Sequence, residues 1–340
     1  MFWVVAILGL GLLMVVHEGG HLLVARAFRM RVIRFSVGFG PALWRYQPAG
    51  SQTIYQVALI PFLAYVQIAG MNPLEEVDPE DKGSYANAAL HARISAIFAG
   101  PLANYLFASI LFFTALIVGG KPVPSTRVEV MPGSAAQQAN MKDGDKVVAI
   151  DGDPIDSWDD LRRKALANPG KPLRFEVQRD GKRVKLTVTP RPEAEGGRGQ
   201  IGVSHLPEKV PVGFKEAVIV SIEFPARVVQ QFVVAMGRIL TGKERPQLTG
   251  PVGIVRETKK AAERSWTDYL ELLGILSAYL GGFNLVPFPA LDGGRLLFLS
   301  YEAVTRRRPN ARIEAHIHAL GLLMLLTLIA VVSVFDITAK

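Results

Sequence analysis

His17 and His21 stand four residues apart, with Glu18 between them, in the pentapeptide HEGGH. On an α-helix that spacing puts both imidazoles on one face, where they reach a single metal ion. Glu18 projects beside them, placed to take a proton from a water molecule that the ion activates. Two histidines, one carboxylate ligand and a fourth position open to water are the donor set of a zinc hydrolase, in which zinc lowers the pKa of water to about 7. The chain has no cysteine, so thiolate metal sites and disulfides are excluded and any zinc is held by His, Asp or Glu. Asp292 is the only acid between Glu271 and Glu302. It sits in the run FNLVPFPALDGGRLLFL, where Pro287 and Pro289 would break a helix just before it and Gly293-Gly294 would loosen it just after. Asn284, eight residues earlier, offers an amide for a substrate peptide group or a developing oxyanion, or equally for an interhelical polar contact.

The elements that carry these residues are apolar. HEGGH ends a nearly unbroken hydrophobic run, where ionisable groups are costly and mark function by default. Four stretches approach the roughly 20 residues a bilayer requires: 2–25, 94–119, 272–299 and 318–336. Met1-Phe2-Trp3 supplies no basic start and no cleavage pattern follows, so the first stretch is expected to stay as a membrane helix. Arg26, Arg29, Arg31, Arg34 and Arg45 follow the first span, and Arg306, Arg307, Arg308 and Arg312 lie between the third and fourth. The positive-inside rule puts both segments in the cytoplasm. Spans one and three then run in the same direction, with HEGGH and Asp292 at matching depth. Segment 214–240 carries Glu223, Pro225 and Arg227 at its middle, which reads as amphipathic helices lying on the membrane rather than as a fifth span.

Between the spans the character changes. Residues 29–90 are rich in β-branched and aromatic residues punctuated by Gly and Pro, then polar: a β region at the cytoplasmic side followed by a loop. Residues 121–205 are charged and alternate short strands with turns. The run TRVEVM and the run DKVVAID read as strands, SWDDLRRKALAN as a helix, LRFEVQRDGKRVKLTVTP as a hairpin turning at Asp180-Gly181, and 192–199 as an exposed loop. The 340 residues thus divide into a membrane helix at 1–28, the β region and loop at 29–90, a second membrane helix at 91–120, a small α/β domain at 121–205, interfacial helices at 206–265, a third membrane helix at 266–300, a basic loop at 301–315 and a fourth membrane helix at 316–340. Apolar residues are 49% of the chain and its formal charge is +8, with the arginines beside apolar runs. That pattern fits anionic lipid and excludes nucleic acid as a partner, since no nucleic-acid motif accompanies it.

HEGGH in the first span, GPLAN (Gly100–Asn104) in the second, NLVPFPALDGG in the third and a domain between the second and third together resemble the site-2 protease family of intramembrane zinc metalloproteases. The chain is most similar to its bacterial regulator-of-sigma-E branch. The resemblance implies a polytopic α-helical membrane protein with a membrane-associated β region and an extracytoplasmic PDZ-like domain, in the bacterial inner membrane, its active site toward the cytoplasm. It implies one Zn²⁺ per chain on His17, His21 and Asp292, and Glu18 as catalytic base. Asn284, Pro287 and Pro289 match a motif implicated in substrate handling. Gly38 and Gly40, in GFGPALW, match the β region thought to pair with an extended substrate. The substrates implied are single-span membrane proteins of the anti-sigma-factor or signal-peptide-remnant kind, cut in regulated intramembrane proteolysis. In the PDZ-like domain GQIGV (199–203) would be the last strand, and a peptide ligand of that domain is implied as well.

In GPLAN itself, Gly100 and Ala103 read as close helix packing, and Asn104 has no assigned role. The chain departs from the family pattern at Leu63-Ala64, where Gly-Gly is common, and at Ala139-Asn140-Met141, where Ala-Gly-Leu is usual; it has room for one PDZ-like domain. Two rival functions are a catalytically dead PDZ membrane adaptor, which has no use for Glu18, and a zinc carrier, which needs more ligand sets than the spans offer.

Overall fold

The computed structural model describes residues 1–123, 125–192, 199–206, 208–243 and 250–338; the side chains of Pro61, Phe62, Leu63 and Leu240 also lie outside the description. Two units emerge: Met1–Val118 with Gly213–Lys340, and Gly119–Val212.

The first unit starts with α1 (Phe2–Ala27), β1 (Val32–Tyr46), β2 (Ile54–Ile68) and α2 (Leu90–Gly119). Helices α1 and α2 run antiparallel at backbone contact. A methyl on Gly20 would strike the carbonyl oxygen of Ala99 and come within 2.8 Å of the Ala103 side chain. Small residues at such a crossing are what lets two membrane helices approach closely. Strands β1 and β2 are each 15 residues long and form an antiparallel hairpin. Their registers place 32–37 between 64–68 and 54–57, so the row 64–68 is an outer one. The bend in β1 falls at Gly38 and Gly40, whose φ values of 95° and 92° favour glycine. A side chain at Gly38 would come within 2.8 Å of the Ala58 carbonyl oxygen. Beyond the bend Phe39, Leu43, Trp44, Leu59 and Ile60 are exposed.

The second unit comprises β3 (Lys121–Val123), β4 (Val128–Val130), α3 (Ala135–Gln138), β5 (Lys146–Ile150), β6 (Asp153–Pro154), α4 (Trp158–Ala167), β7 (Leu173–Arg179), β8 (Lys182–Val188), β9 (Arg191–Pro192), β10 (Gly199–Gln200), β11 (Val203–His205) and β12 (Glu208–Val210). A four-stranded sheet in the order β6-β5-β7-β8 covers a core of Val147, Ile150, Leu161, Phe175, Val177 and Val188. The β7–β8 hairpin turns at Asp180-Gly181, both at positive φ, as a two-residue hairpin loop demands. Ser134 and Ser157 cap α3 and α4 through their side chains. Asn140 stands at φ 61°, which accounts for the departure from Gly there, since Asn tolerates the left-handed region. GQIGV, expected as one last strand, is two: Gly202 at φ 72° kinks it, so β10 pairs with β9 and β11 with β4. Residues 193–198 of the expected exposed loop lie outside the described residues.

The chain re-enters the first unit as α5 (Phe214–Leu240), α6 (Pro251–Arg264), α7 (Trp266–Asn284), α8 (Asp292–Thr305) and α9 (Ala311–Thr338). The expected third span is therefore two helices separated by 285–291. Among the described residues, the helices long and apolar enough to cross a membrane are α1, α2, α5 and α9, by length and composition. Segment 214–240, expected as surface helices, is one continuous helix despite Pro225. It is held by Phe214 against Phe113, by Phe224 against Phe112 and by the Tyr105 hydroxyl on the Ile222 carbonyl. Its outer Glu223 and Arg227 pair with each other at 2.7 Å, which offsets their charge. The chain is nevertheless back at the starting end of the bundle by α6: Asp336, near the end of α9, accepts the N–H groups of Gly250 and Gly253, and Lys259 lies over Trp3.

The break between α7 and α8 leaves few backbone groups stranded. Phe288 N–H donates to the Val286 carbonyl at 2.7 Å, Leu291 N–H to that of Phe288 at 3.2 Å, and Ala290 N–H to His318 Nδ1 on α9 at 3.0 Å. Pro287 and Pro289 have no N–H to satisfy. Gly293 and Gly294 do not loosen the chain, as their sequence suggested. They form the first turn of α8, where any side chain would strike the carbonyls of Leu285, Val286 and Phe288. Gly321 of α9 makes the same kind of close approach to Pro289.

Candidate metal centre

His17 and His21 face α2 from the interior of α1 and are 5% and 4% exposed. Asp292 opens α8, with its carboxylate turned toward them. His17 Nε2 and Asp292 Oδ2 are 3.1 Å apart, His21 Nε2 and Asp292 Oδ2 3.3 Å, and the two Nε2 atoms 3.3 Å. Ligands about 2.0–2.1 Å from a tetrahedral zinc stand about 3.3 Å from one another. The three atoms thus trace one face of a zinc coordination tetrahedron. Asp292 Oδ2 is moreover buried, and with both Nε2 atoms deprotonated for ligation it has no hydrogen-bond donor, a costly state for a carboxylate oxygen that a cation in that place relieves. Among the described residues this is the group of His, Asp and Glu side chains that can hold a metal ion.

The imidazoles are oriented from behind. His21 Nδ1–H donates to the Ala96 carbonyl at 2.7 Å, which leaves its Nε2 lone pair for a metal. His17 Nδ1 meets the side-chain amide of Asn104 at 3.2 Å. For His17 Nε2 to be free, Nδ1 must carry the proton and Asn104 must present its oxygen there, an amide orientation set by chemistry rather than by shape. Asn104 is fully buried, and its backbone carbonyl accepts the Ser277 hydroxyl at 2.8 Å, which fixes α2 against α7. A side chain at Gly100 would land on His21 Nε2 and 2.9 Å from His17 Cε1. GPLAN therefore serves the centre as well as the packing: Gly100 makes room for the rings and Asn104 orients one of them. Sequence reasoning assigned neither role. The available signal was a buried amide on the span that had to pack against HEGGH.

Glu18 is half-buried beside the histidines. Its Oε2 accepts the Val66 N–H at 3.0 Å, so the outer row of the sheet holds it. The remaining expected site residues stand apart from the ligand cluster. Asn284 ends α7, and its amide donates to the Leu280 carbonyl of its own helix at 2.9 Å. Pro287 is exposed and Pro289 half-buried in the break. Gly38 is buried and Gly40 exposed at the bend of β1. Leu63, one of the departures from the family pattern, has its side chain outside the description.

A helical bundle with long apolar helices, and a buried His, His, Asp triangle with a glutamate alongside, define a polytopic membrane metallohydrolase. Comparison with known proteins carries this further. Residues 5–328 match peptidase family M50, and the chain belongs to that family. It is 30% identical to the zinc metalloprotease RasP of Geobacillus kaustophilus, over 96% of this chain and 95% of that one. It is 27% identical to the regulator of sigma-E protease RseP of Salmonella typhimurium, over 95% of each.

Proposed function

We propose that Glu18 is the general base of a zinc centre held by His17, His21 and Asp292, and that this centre cuts peptide bonds within the membrane. The chain is a zinc metalloprotease of the site-2 kind, which cleaves transmembrane segments of membrane proteins in regulated intramembrane proteolysis. The observation that carries the site assignment is the triangle of ligand atoms at 3.1–3.3 Å with Glu18 beside it. Zinc in such a set supplies Lewis-acid polarisation of a substrate carbonyl and of water. Glu18 takes the proton of the attacking water and passes it to the leaving amine nitrogen. The Val66 N–H fixes one carboxylate oxygen and leaves the other for that transfer. Asn104 and the Ala96 carbonyl hold the imidazoles in the tautomer that ligation needs.

A transmembrane helix hides its scissile carbonyl in its own hydrogen bonds and must be unwound before it is cut. The row 64–68 is suited to hold the unwound form by strand addition, because it is an outer row and lies against Glu18. Gly38 and Gly40 shape the sheet that presents it. Asn284, Pro287 and Pro289 border the break that lets Asp292 enter the site, and Asn284 would contact substrate after giving up its bond to Leu280. The substrates in this reading are single-span proteins of the anti-sigma-factor or signal-peptide-remnant kind. The unit at 119–212 is PDZ-like and extracytoplasmic, and the centre lies toward the cytoplasm, as the arginines after α1 and after α8 support.

The test is cleavage of a membrane-embedded single-span substrate by the purified protein. Glu18→Gln should bind one zinc per chain and cleave at least about a hundredfold more slowly, the lower end of what general acid–base catalysis contributes. Cleavage by Glu18→Gln at the parent rate would refute the assignment of the base.

A further inference from the structure

At the end of the bundle away from α6 lies a cavity of about 160 Å³ between α2, α8, the start of α9 and the segment after β2. Its charges do not cancel. Arg93 and Glu302 form a bidentate pair at 2.9 and 2.5 Å, and Arg93 Nε donates to the Ala88 carbonyl as well, so both are satisfied. That leaves two guanidinium groups, Arg295 and Arg308, facing one carboxylate, Glu314. Arg308 stands 3.7 Å from Glu302, which Arg93 already holds. Arg295 is half-buried, and among the described residues its side chain has neither a hydrogen bond nor an ion pair. A guanidinium in such a recess carries five donors with no acceptor, a poor state unless an anion completes it. Tyr85 adds a hydroxyl to the wall. Burial pushes its pKa up to about 12, so it stays protonated and able to donate.

The placement narrows the anion. Pro309 and Ala311 line the cavity, and α9, a helix long and apolar enough to span, begins at Ala311. The cavity therefore opens where a spanning helix leaves the hydrocarbon, which is the depth of lipid phosphates. Exposed Arg306, Arg307 and Arg312 surround the same end and would concentrate anions there. The other wall is apolar, with Phe298 and Leu299 of α8. We propose that this cavity binds a phosphate-bearing anion, the headgroup of an anionic phospholipid, between Arg295 and Arg308. The site is separate from the catalytic one, although Arg295 lies one helical turn beyond Asp292 and occupancy would brace α8.

The experiment uses the full chain with its zinc, purified from membranes containing phosphatidylglycerol into a neutral detergent. Retained phosphatidylglycerol per chain is counted by mass spectrometry. Melting is then followed with added short-chain phosphatidylglycerol, short-chain phosphatidylcholine or inorganic phosphate. The parent should retain about one phosphatidylglycerol and melt higher on its addition but not with phosphatidylcholine. Arg295→Gln should bind it about tenfold more weakly, as loss of one charge-assisted contact entails. Arg295→Lys should recover part of the binding, and Arg183→Gln, an exposed position in the second unit, should behave as the parent. Stabilisation by inorganic phosphate alone, lost in Arg295→Gln, would keep the anion site and replace the lipid by free phosphate. Should Arg295→Gln fail to fold, Arg308→Gln, an exposed position, replaces it with the same expected weakening. Equal retention and equal melting shifts in parent and variants, or none in any, would overturn the proposal.

Discussion

Replacing Asn104 by leucine would remove one hydrogen bond and almost no volume. Asn104 is fully buried on α2, with its amide 3.2 Å from His17 Nδ1. In Asn104→Leu the Nδ1–H of a metal-bound His17 is left buried with no acceptor. An unsatisfied buried donor costs about 1–3 kcal/mol, and that penalty falls on the zinc-loaded state, because the empty imidazole can turn its proton to Nε2 and share it with Asp292. At about 1.4 kcal/mol per factor of ten, zinc affinity should fall roughly five- to a hundredfold. This overlaps the 10–100-fold usually seen on losing a partner behind a metal ligand. The Ser277 bond goes to the Asn104 backbone carbonyl and survives the change, so helix packing should persist. Competition with a chromophoric chelator measures the affinity, and melting of the zinc-free protein controls for folding. Asn104→Asp, which keeps an acceptor, should bind zinc close to normally. A folded Asn104→Leu protein that binds zinc within about twofold of the parent, against the fivefold minimum expected from the same penalty, would refute the orienting role.

Gly100→Ala should lower zinc occupancy and slow cleavage by about a hundredfold, because the new methyl occupies the place of His21 Nε2; metal content and cleavage rate check it. Arg93→Gln should destabilise the protein by at most about 3–5 kcal/mol, because Glu302, 13% exposed, keeps only the exposed Arg308 at 3.7 Å, and Glu302→Gln in the same chain should restore part of it in unfolding measurements. In the loop after β2, the Arg31 guanidinium bonds Asp81 at 2.6 Å and holds its carboxyl below the usual carboxylate range. The depressed folded pKa means that this contribution is present above the unfolded value of about 3.9 and is lost as pH falls through the folded one. Asp81→Asn should therefore lower stability modestly at neutral pH, where the contribution is present, and flatten the acid limb, so that the variant and parent profiles converge at low pH.

The grouping of the candidate ligands was legible because each is dictated locally. A helix in an apolar run fixes the angle between His17 and His21, and a lone acid after Pro-x-Pro in a parallel segment leaves Asp292 as the third partner. The break before Asp292 was legible for the same reason, since two prolines remove two donors. Its consequence for Gly293 and Gly294 was not: which backbone a glycine lets approach is a tertiary fact. Asn104 and Gly100 stayed ambiguous because a buried amide and a small residue serve packing and catalysis with the same sequence signature. The 214–240 segment was misjudged in form. Its charges at mid-length argued against a continuous apolar helix, yet Glu223 pairs with Arg227 along the helix and Pro225 is absorbed while α2 and α7 support the rest. Gly202, which splits the expected last strand of the second unit, carries no mark in sequence that separates a kink from an ordinary strand glycine.

The centre draws His17, Glu18 and His21 from the beginning of the chain and Asp292 from near its end. Between them lie the sheet, the second unit and four helices, all of which emerge from the ribosome before Asp292 does. A nascent or half-inserted chain has two imidazoles and a glutamate with no carboxylate partner. Structural metal sites seldom form before the fold that assembles them. A hydrolase that meets its substrates in the same bilayer it is being inserted into would thereby stay inert until its biogenesis is nearly finished.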